Sequence, residues 1–299
     1  MLEFCPIKPE DTAWLRPVVA RTPDLSCDAS VASLICWGNA SIAACGDFFV
    51  PMVNYGNGHC YLRPLGGADF ASILPEMIED SRARGIPFCM CGVTKKVREQ
   101  LQDQPVVWKT NRDYYDYVYT IESLCTLSGH KLQAKRNHIN RFIELYPDWH
   151  CVPMTKTEVP ICRALLKTWY EEHYALGVDP ASFHGEQRAI GLAMDQFEDF
   201  RFEGLLLYAQ GRPVAFSMGV PLGEDSFDVC YEKAFSSVQG AYAMINREFS
   251  RMIQEKYPNV RYLNREDDTG SEGLRKAKLS YHPAILLEKF TAFLPEAAQ

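Results

Sequence analysis

The order of predicted strands and helices in the second half of the chain is the feature that most restricts its fold. Between residues 149 and 294, the apolar patterns predict a strand, two helices, three strands, a helix, a strand, a helix and a strand. The run 202–220 is typical of a hairpin with its turn at "QGRP" (210–213). Residues 1–115 give a looser version of the same order. The sequence therefore predicts a mixed α/β protein of two similar, mostly antiparallel halves, each flanked by helices.

This pattern sets the expected domain organisation. We expect an N-terminal domain over residues 1–120, a bridging helical segment over residues 121–148, and a C-terminal domain over residues 149–299 that carries the active site. A chain of 299 residues, 47% of them hydrophobic, is large enough to bury the core that two such domains need. We expect the two sheets to superpose.

Charge and composition narrow the class of protein. The net charge of −7 argues against a protein that coats nucleic acid or anionic membrane non-specifically. The start "MLEFCPIKPEDTAWLRPVVA" lacks the pattern of a secretory signal, and no run reaches the roughly 18 apolar residues that a membrane helix needs. The eleven cysteines show no C-x-x-C spacing, so we expect reduced thiols and no metal site. These observations predict a soluble, cytoplasmic protein.

The segment "GHKLQAKRNHINRFIELYP", residues 129–147, places basic residues on the apolar stripe of a predicted helix. Lys135 and Arg136 fall on that stripe, where an unpaired charge is costly. Two kinds of partner remain open. One is a carboxylate of the protein, for which residues 266–268 are the candidates, and the other is a phosphate or carboxylate of a ligand. Asn137 joins the substrate-binding candidates without a stripe argument of its own.

The segment "YLNREDDTGSEGLRKAKLSYHP", residues 262–283, begins as a strand and continues with three carboxylates. Adjacent carboxylates repel one another and tend to raise the pKa of one member, which suits a general base near neutral pH. We therefore take Glu266 and Asp267 as catalytic candidates. Asp268 has a competing interpretation in which this segment is a solvated turn and either Asp268 or Ser271 caps the following helix.

The helix that follows these acids presents a cation and an aromatic hydroxyl on one face. Lys278 and Tyr281 share that face, which is otherwise apolar. We expect Lys278 to hold a phosphate or carboxylate and Tyr281 to protonate the leaving group. Arg275 lies on a different face and remains a further substrate-binding candidate.

Together, "LSGHKLQAKRNHINRF" (127–142) and the segment 262–283 resemble a bacterial family of unknown function. That family is similar to the catalytic C-terminal domain of phosphatidylglycerol lysyltransferases. The resemblance covers nearly the whole chain, most clearly after residue 110. It implies a tandem pair of GNAT acyltransferase domains, as in the peptidoglycan-interpeptide aminoacyltransferases. It also implies that the donor is aminoacyl-tRNA, whereas the fold alone implies acyl-CoA.

A GNAT enzyme binds the phosphates of coenzyme A with backbone N–H groups where its fourth strand leads into the next helix. Here that junction is "AFSSVQGAYAMIN", residues 234–246. The candidate coenzyme-binding residues are Ser237, Val238, Gln239, Gly240, Ala241 and Tyr242. Ser237 stands where the family signature has Gln or Arg, which counts against coenzyme A bound in the ordinary way. The alternative is a small-residue helix start that packs closely.

The sequence thus predicts a transferase that moves an acyl or aminoacyl group to an amine or hydroxyl. Glu266 or Asp267 would accept the proton of the attacking group, and backbone N–H groups around 230–232 would polarise the acyl carbonyl. The competing hypothesis is a non-catalytic binder of a nucleotide or anionic metabolite, descended from such a transferase. The oligomeric state is left open.

Overall fold

The computed structural model describes residues 1–22, 25–30, 32–38, 40–54 and 58–295. In the first part of the chain the elements are β1 (Cys5–Pro6), α1 (Thr12–Arg21), β2 (Ser41–Cys45), β3 (Phe48–Asn54), β4 (His59–Leu62), β5 (Leu65–Gly66), α2 (Phe70–Arg84), β6 (Cys89–Thr94), α3 (Lys95–Gln100), β7 (Val107–Thr110), β8 (Asp116–Thr120), α4 (Ile121–Thr126) and α5 (Gln133–Leu145). In the second part they are β9 (His150–Pro153), α6 (Val159–Ala175), α7 (His184–Asp195), β10 (Glu203–Ala209), β11 (Arg212–Pro221), β12 (Ser226–Ala234), α8 (Ala241–Lys256), β13 (Tyr262–Asn264), α9 (Glu272–Leu279), β14 (Ile285–Leu287) and β15 (Lys289–Phe293).

The strands form two sheets, both flanked by helices. The first has the order β1-β2-β3-β4-β6-β15-β7, with β5 beside β3, and the second has the order β14-β8-β13-β12-β11-β10-β9. Strand pairs are antiparallel except β4 with β6 and β12 with β13, which are parallel. The mixed α/β fold with two mostly antiparallel sheets is therefore confirmed. The element order predicted for the second half holds as far as α9, after which two strands, β14 and β15, replace the single strand predicted.

Each sheet contains one strand from the other part of the chain. Strand β15, at the end of the chain, lies between β6 and β7 of the first sheet. Strand β8, which comes before the bridging helix, lies between β13 and β14 of the second sheet. Both strands therefore lie outside the sequence spans expected for their sheets. This exchange ties the two sheets together and brings β8 beside the turn that follows β13.

The hairpin of β10 and β11 has the predicted position. Its two turn residues, Gln210 and Gly211, both have positive φ, at 53° and 70°. Two consecutive left-handed residues match the right-handed twist of the flanking strands, and glycine reaches this conformation without a steric penalty.

Helix α8 covers the second sheet with an apolar face. Ile245, Phe249 and Ile253 are buried at helical spacing, and Phe249 packs edge-on against Phe227 of β12. Tyr242, in the first turn of the helix, is 39% exposed. The packing fixes the start of α8 at the end of β12.

Among the helices of the described residues, none combines the length and the apolar character that crossing a bilayer requires.

Candidate active site

The central feature of the site is a gap between the two parallel strands of the second sheet. Their pairing runs from Ser226 opposite Tyr262 to Asp228 opposite Asn264 and then ends. Strand β12 continues to Ala234, while the other chain turns away at Glu266, whose φ is +56°. Beyond Asp228, this edge of β12 has no strand beside it among the described strands. Its backbone groups on that edge are therefore available to a ligand.

The turn after β13 is held in place by β8. The backbone N–H of Arg265 donates to the carbonyl of Tyr117, and the N–H of Tyr117 donates to the carbonyl of Glu266, at 2.9 and 3.1 Å. The N–H of Glu266 also donates to the side chain of Asn264 at 2.6 Å. These three bonds hold Glu266 in its left-handed conformation, which is uncommon for a residue with a side chain.

Arg265 and Glu266 direct their side chains to different neighbours. Arg265 donates to Glu232 at 2.8 Å, and Glu232 in turn accepts from Asn246 of α8 at 3.1 Å. Glu266 instead has a carboxylate oxygen within 4.8 Å of a ligand atom of both Asp228 and Cys230. The gap thus has a cationic side next to α8 and an acidic side at Asp228.

The acidic side contains two carboxyl groups without partners. Neither oxygen of the fully buried Asp228 has a hydrogen-bond partner in the described structure. Burial raises the pKa of Asp228 to about 7. Burial, followed by the nearby charge of Asp228, raises the pKa of Glu266 well above its ordinary value. Because two close carboxylates cannot both ionise cheaply, the pair holds a proton near neutral pH.

Lys278 lies beneath the same turn. Its ammonium group donates to the backbone carbonyls of Arg265 and Asp267. Burial lowers the pKa of Lys278, although the charge of Glu266 opposes the shift. Lys278 therefore supports the turn that carries Glu266, a contact that the sequence did not indicate.

Asp267 faces a different group, the buried Lys289 of β15. The Lys289 ammonium lies 3.9 Å from Asp267, 2.8 Å from Asp116 and 3.1 Å from Asp28. Burial raises the pKa of Asp267 to about 6, and the charge of Lys289 opposes that rise. The structure thus places Asp267 beside the ion pairs that join the two sheets.

Asp268 is part of a structural ion-pair cluster. It accepts from Arg275 at 2.8 and 2.9 Å and from the Tyr117 hydroxyl at 2.5 Å, and Arg112 lies 3.4 Å away. Burial would raise the pKa of Asp268, but Arg275 and Tyr117 outweigh it and hold that pKa well below its usual range. The helix cap is Ser271, not Asp268. Arg275, expected at the substrate, is committed to this cluster and to Asp113 at 2.6 Å.

On the cationic side, the ring of Tyr281 lies between two cations. The Lys135 ammonium is 4.0 Å from the ring centroid and the Arg265 guanidinium carbon is 4.9 Å from it. Tyr281 is only 5% exposed, and burial raises the pKa of its hydroxyl. Burial, followed by the charge of Arg265, lowers the pKa of Lys135 to about 8. The structure therefore brings Tyr281 and Lys135 together.

The other two candidates on α5 lie elsewhere. Arg136 donates to the backbone carbonyls of Leu127 and Gly129, which it holds in the loop before the helix. Asn137 is exposed. In the described chain neither Lys135 nor Arg136 forms an ion pair with the carboxylates at 266–268, so the structure does not show the first of the two open alternatives.

The junction before α8 is packed against α5. Gly240 has a φ of +85°, and a Cβ on it would lie 2.4 Å from the His138 carbonyl oxygen. Val238 and Ala241 are buried, whereas Ser237 and Gln239 are exposed. The Tyr242 hydroxyl accepts from the Trp169 indole at 3.3 Å.

One group of side chains has the spacing of a metal site. Asp228, Cys230 and Glu266 are the set in the described residues whose three potential ligand atoms all lie within 4.8 Å of one another. Burial raises the pKa of the Cys230 thiol well above its ordinary value, as it does for both acids. Because a raised pKa favours the protonated form, Asp228 and Glu266 are suited to share one proton near neutral pH.

Sequence reasoning missed Asp228, Arg265 and Glu232. Asp228 carried a readable signal, because it is an acid within the apolar run "SFDVCYEKAF" and a buried strand does not tolerate an unpaired charge. Glu232 lies in the same run, but its pairing with Arg265 had no signal, since that pairing depends on how far β12 and β13 diverge.

The sequence matches the family described as "Phosphatidylglycerol lysyltransferase, C-terminal" over residues 20–293. The chain belongs to this family. One protein from Mycoplasmoides gallisepticum, described as uncharacterized, is 24% identical over 179 residues. That match covers 58% of this chain and 54% of the relative, so this family member spans about half the length of the curated relative.

Solved structures agree with the family assignment. A conserved protein of unknown function from Bacteroides thetaiotaomicron is 37% identical, covers 99% of this chain and 100% of its own, and has a TM-score of 0.92. The C-terminal domain of a putative lysylphosphatidylglycerol synthetase from Agrobacterium fabrum is 14% identical over 97% and 93% of the two chains, with a TM-score of 0.70. A tandem GNAT protein from the clavulanic acid biosynthesis pathway is 9% identical over 98% of each chain, with a TM-score of 0.50. The fold of this family member is a tandem GNAT fold.

Proposed function

We propose that this chain is an aminoacyltransferase that moves an aminoacyl group from aminoacyl-tRNA to an amine or hydroxyl acceptor. The observation that carries the proposal is the position of Glu266. Its half-buried carboxylate makes no hydrogen bond or ion pair with the described residues, and it lies at the gap between β12 and β13 beside Asp228. A carboxylate kept free at such a position suits a general base.

The reaction that fits this geometry is direct transfer without a covalent enzyme intermediate. The acceptor nitrogen or oxygen attacks the ester carbonyl carbon, and its proton passes to the Glu266–Asp228 pair. Backbone N–H groups on the open edge of β12, around Cys230–Glu232, stabilise the negative charge on the carbonyl oxygen. The ester bond then breaks, and the leaving ribose oxygen takes a proton, for which Tyr281 is the candidate donor.

Two features favour an RNA donor over acyl-CoA. The junction 236–242 contains no lysine or arginine, and α5 packs against its glycine. In addition, α5 and the turn before it expose basic residues, including Lys131 and Arg141, and no acid occurs between Ser128 and Arg141. Such a local basic surface supports binding of a nucleic acid end by a chain whose net charge is −7.

A donor panel tests the proposal. The protein is incubated with tRNA carrying radiolabelled amino acids, or with labelled acyl-CoAs, and with amine, hydroxyl and phosphatidylglycerol acceptors. We expect label to move from aminoacyl-tRNA to one acceptor class. Transfer from acyl-CoA alone would overturn the proposed donor, and saturable binding of aminoacyl-tRNA without transfer to any acceptor would favour a non-catalytic binder.

A further inference from the structure

Three polar groups on the cationic side of the gap have no hydrogen-bond partner among the described residues. The Nη1 atom of Arg265 is buried and unbonded, and so is the Oδ1 atom of Asn246, a residue that is 2% exposed. The ammonium group of Lys135 makes only its ring contact with Tyr281 within the described part of the chain. Buried polar atoms normally have partners, so unbonded groups of this kind are able to hydrogen-bond a ligand.

The carboxylate of Glu232 does not bond to any of these three unpartnered groups. Glu232 uses one oxygen for Arg265 Nη2 at 2.8 Å and the other for Asn246 Nδ2 at 3.1 Å. This leaves one donor on Arg265, the whole ammonium group of Lys135 and one acceptor on Asn246. With two cations and one carboxylate, the cluster has a net positive charge. A ligand that completes it must present anionic oxygens and a hydroxyl or N–H group.

We infer that Lys135, Arg265 and Asn246 form a binding site for a phosphate group of the donor and for a hydroxyl next to that phosphate. We call it the phosphate site. The inference rests on the proposed function, because an aminoacyl-tRNA brings a phosphodiester and a ribose hydroxyl close to its reactive ester. Arg265 presents a fixed N–H group to one phosphate oxygen, and Lys135 adds a mobile charge to another. Asn246 Oδ1 accepts the hydroxyl hydrogen.

The charge state of Lys135 makes the predicted ligand affinity depend on pH. Its neighbours are the ring of Tyr281, the guanidinium of Arg265 and the carboxylate of Glu232. Burial and Arg265 lower the pKa of Lys135 to about 8, so in the free protein the charge is lost as the pH rises through that value. A bound phosphate favours the charged form. Affinity should therefore be highest below pH 8 and fall above it.

The experiment measures binding without catalysis. The probe is the ribonucleotide CCA with a fluorescent label at its 5′ end, and the readout is the Kd from fluorescence anisotropy. Because a charge-assisted hydrogen bond contributes roughly 1.5–3 kcal/mol, Lys135→Met should weaken binding roughly 10- to 100-fold. The matched control is Lys167→Met on α6, an exposed residue paired with Glu171, which should change the Kd less than about twofold.

Binding measurements with other probes identify the chemical group that the site recognises. A CCA probe with uncharged methylphosphonate linkages should bind the wild-type protein as weakly as CCA binds Lys135→Met, and Lys135→Met should bind CCA with no change across pH 8. Inorganic phosphate should compete only at much higher concentration. Equal Kd values of the wild type and Lys135→Met for CCA would contradict the phosphate site. Equal affinity of the wild type for CCA and for the methylphosphonate probe would also contradict it. Coenzyme A could instead bind tightly, with an affinity that depends on Lys135, while CCA does not bind. That result would support the phosphate site and contradict the RNA donor of the proposed function.

Discussion

Asp228 and Glu266 lie within 4.8 Å of each other at the point where β12 and β13 diverge, and neither carboxyl group has a hydrogen-bond partner among the described residues. Two residues along the chain from Glu266, Asp268 is bonded to Arg275 and Tyr117 and is as buried as Asp228. Glu266 and Asp268 thus occupy opposite electrostatic environments within one turn. This contrast separates a functional acid pair from a structural ion pair.

Substitution of the neighbouring acids should have opposite effects on stability. Asp268→Asn leaves Arg275 without its buried partner and should lower the free energy of unfolding by roughly 2–4 kcal/mol, below the full cost for a buried pair because Arg275 is partly exposed. Glu266→Gln removes no bond and should leave stability unchanged or raised. Urea denaturation of both variants measures the difference. A large loss in Glu266→Gln would show that this carboxylate is structural.

Asp228→Asn should stabilise the protein in a pH-dependent way. The folded-state pKa of Asp228 is raised to about 7, above its ordinary value of 3.8. Between these values the unfolded chain ionises and the folded chain does not, so wild-type stability is lost as the pH rises. The variant lacks this loss and should exceed the wild type by roughly 1–3 kcal/mol at pH 8 and by almost nothing at pH 4. Equal stabilities at pH 8 would contradict the raised pKa.

Lys289→Met should weaken the junction between the two sheets. Lys289 is buried between Asp116 and Asp28, so its removal leaves charges without a partner and should cost roughly 3–5 kcal/mol. The control is Lys156→Met, which breaks an ion pair with Glu198 between exposed side chains and should leave the melting temperature almost unchanged. Melting temperatures of the two variants provide the comparison, and similar values would show that Lys289 does not join the sheets.

Gly240→Ala should displace α5 from the start of α8. The added Cβ would lie 2.4 Å from the His138 carbonyl oxygen and 2.9 Å from Phe142, at a φ of +85°. We expect a loss of roughly 1–3 kcal/mol. Gly191→Ala is the control, because it lies within α7 with open space around it and should gain roughly 0.5–1 kcal/mol. A neutral Gly240→Ala would mean that α5 does not pack closely there.

The sequence predicted the elements better than their pairing. The order of strands and helices in the second half follows from local apolar patterns, so it could be predicted. The exchange of β8 and β15 could not, because short apolar strands carry no signal for which sheet they join. Lys289 and Asp116 carried a partial signal, since each is a charge in an apolar run and they pair with each other across the exchanged strands.

The criterion of a charge in an apolar pattern also explains which site residues could be predicted. The charge on an apolar stripe singled out Lys135, and the structure places it at the cationic side of the gap beside Tyr281. It also singled out Arg136, whose partners are backbone carbonyls that no sequence pattern reveals. Asp228 meets the same criterion on a strand, but the apolar pattern of β12 does not reveal that Glu266 lies beside it.

The most direct test of the account is the single-turnover rate of aminoacyl transfer by Glu266→Gln relative to the wild type, with saturating aminoacyl-tRNA and the acceptor found in the donor panel. We predict a fall of roughly 10²- to 10⁴-fold, as expected for the loss of a general base, with donor affinity and melting temperature unchanged. A Glu266→Gln variant that transfers at the wild-type rate would contradict the central role assigned to this carboxylate.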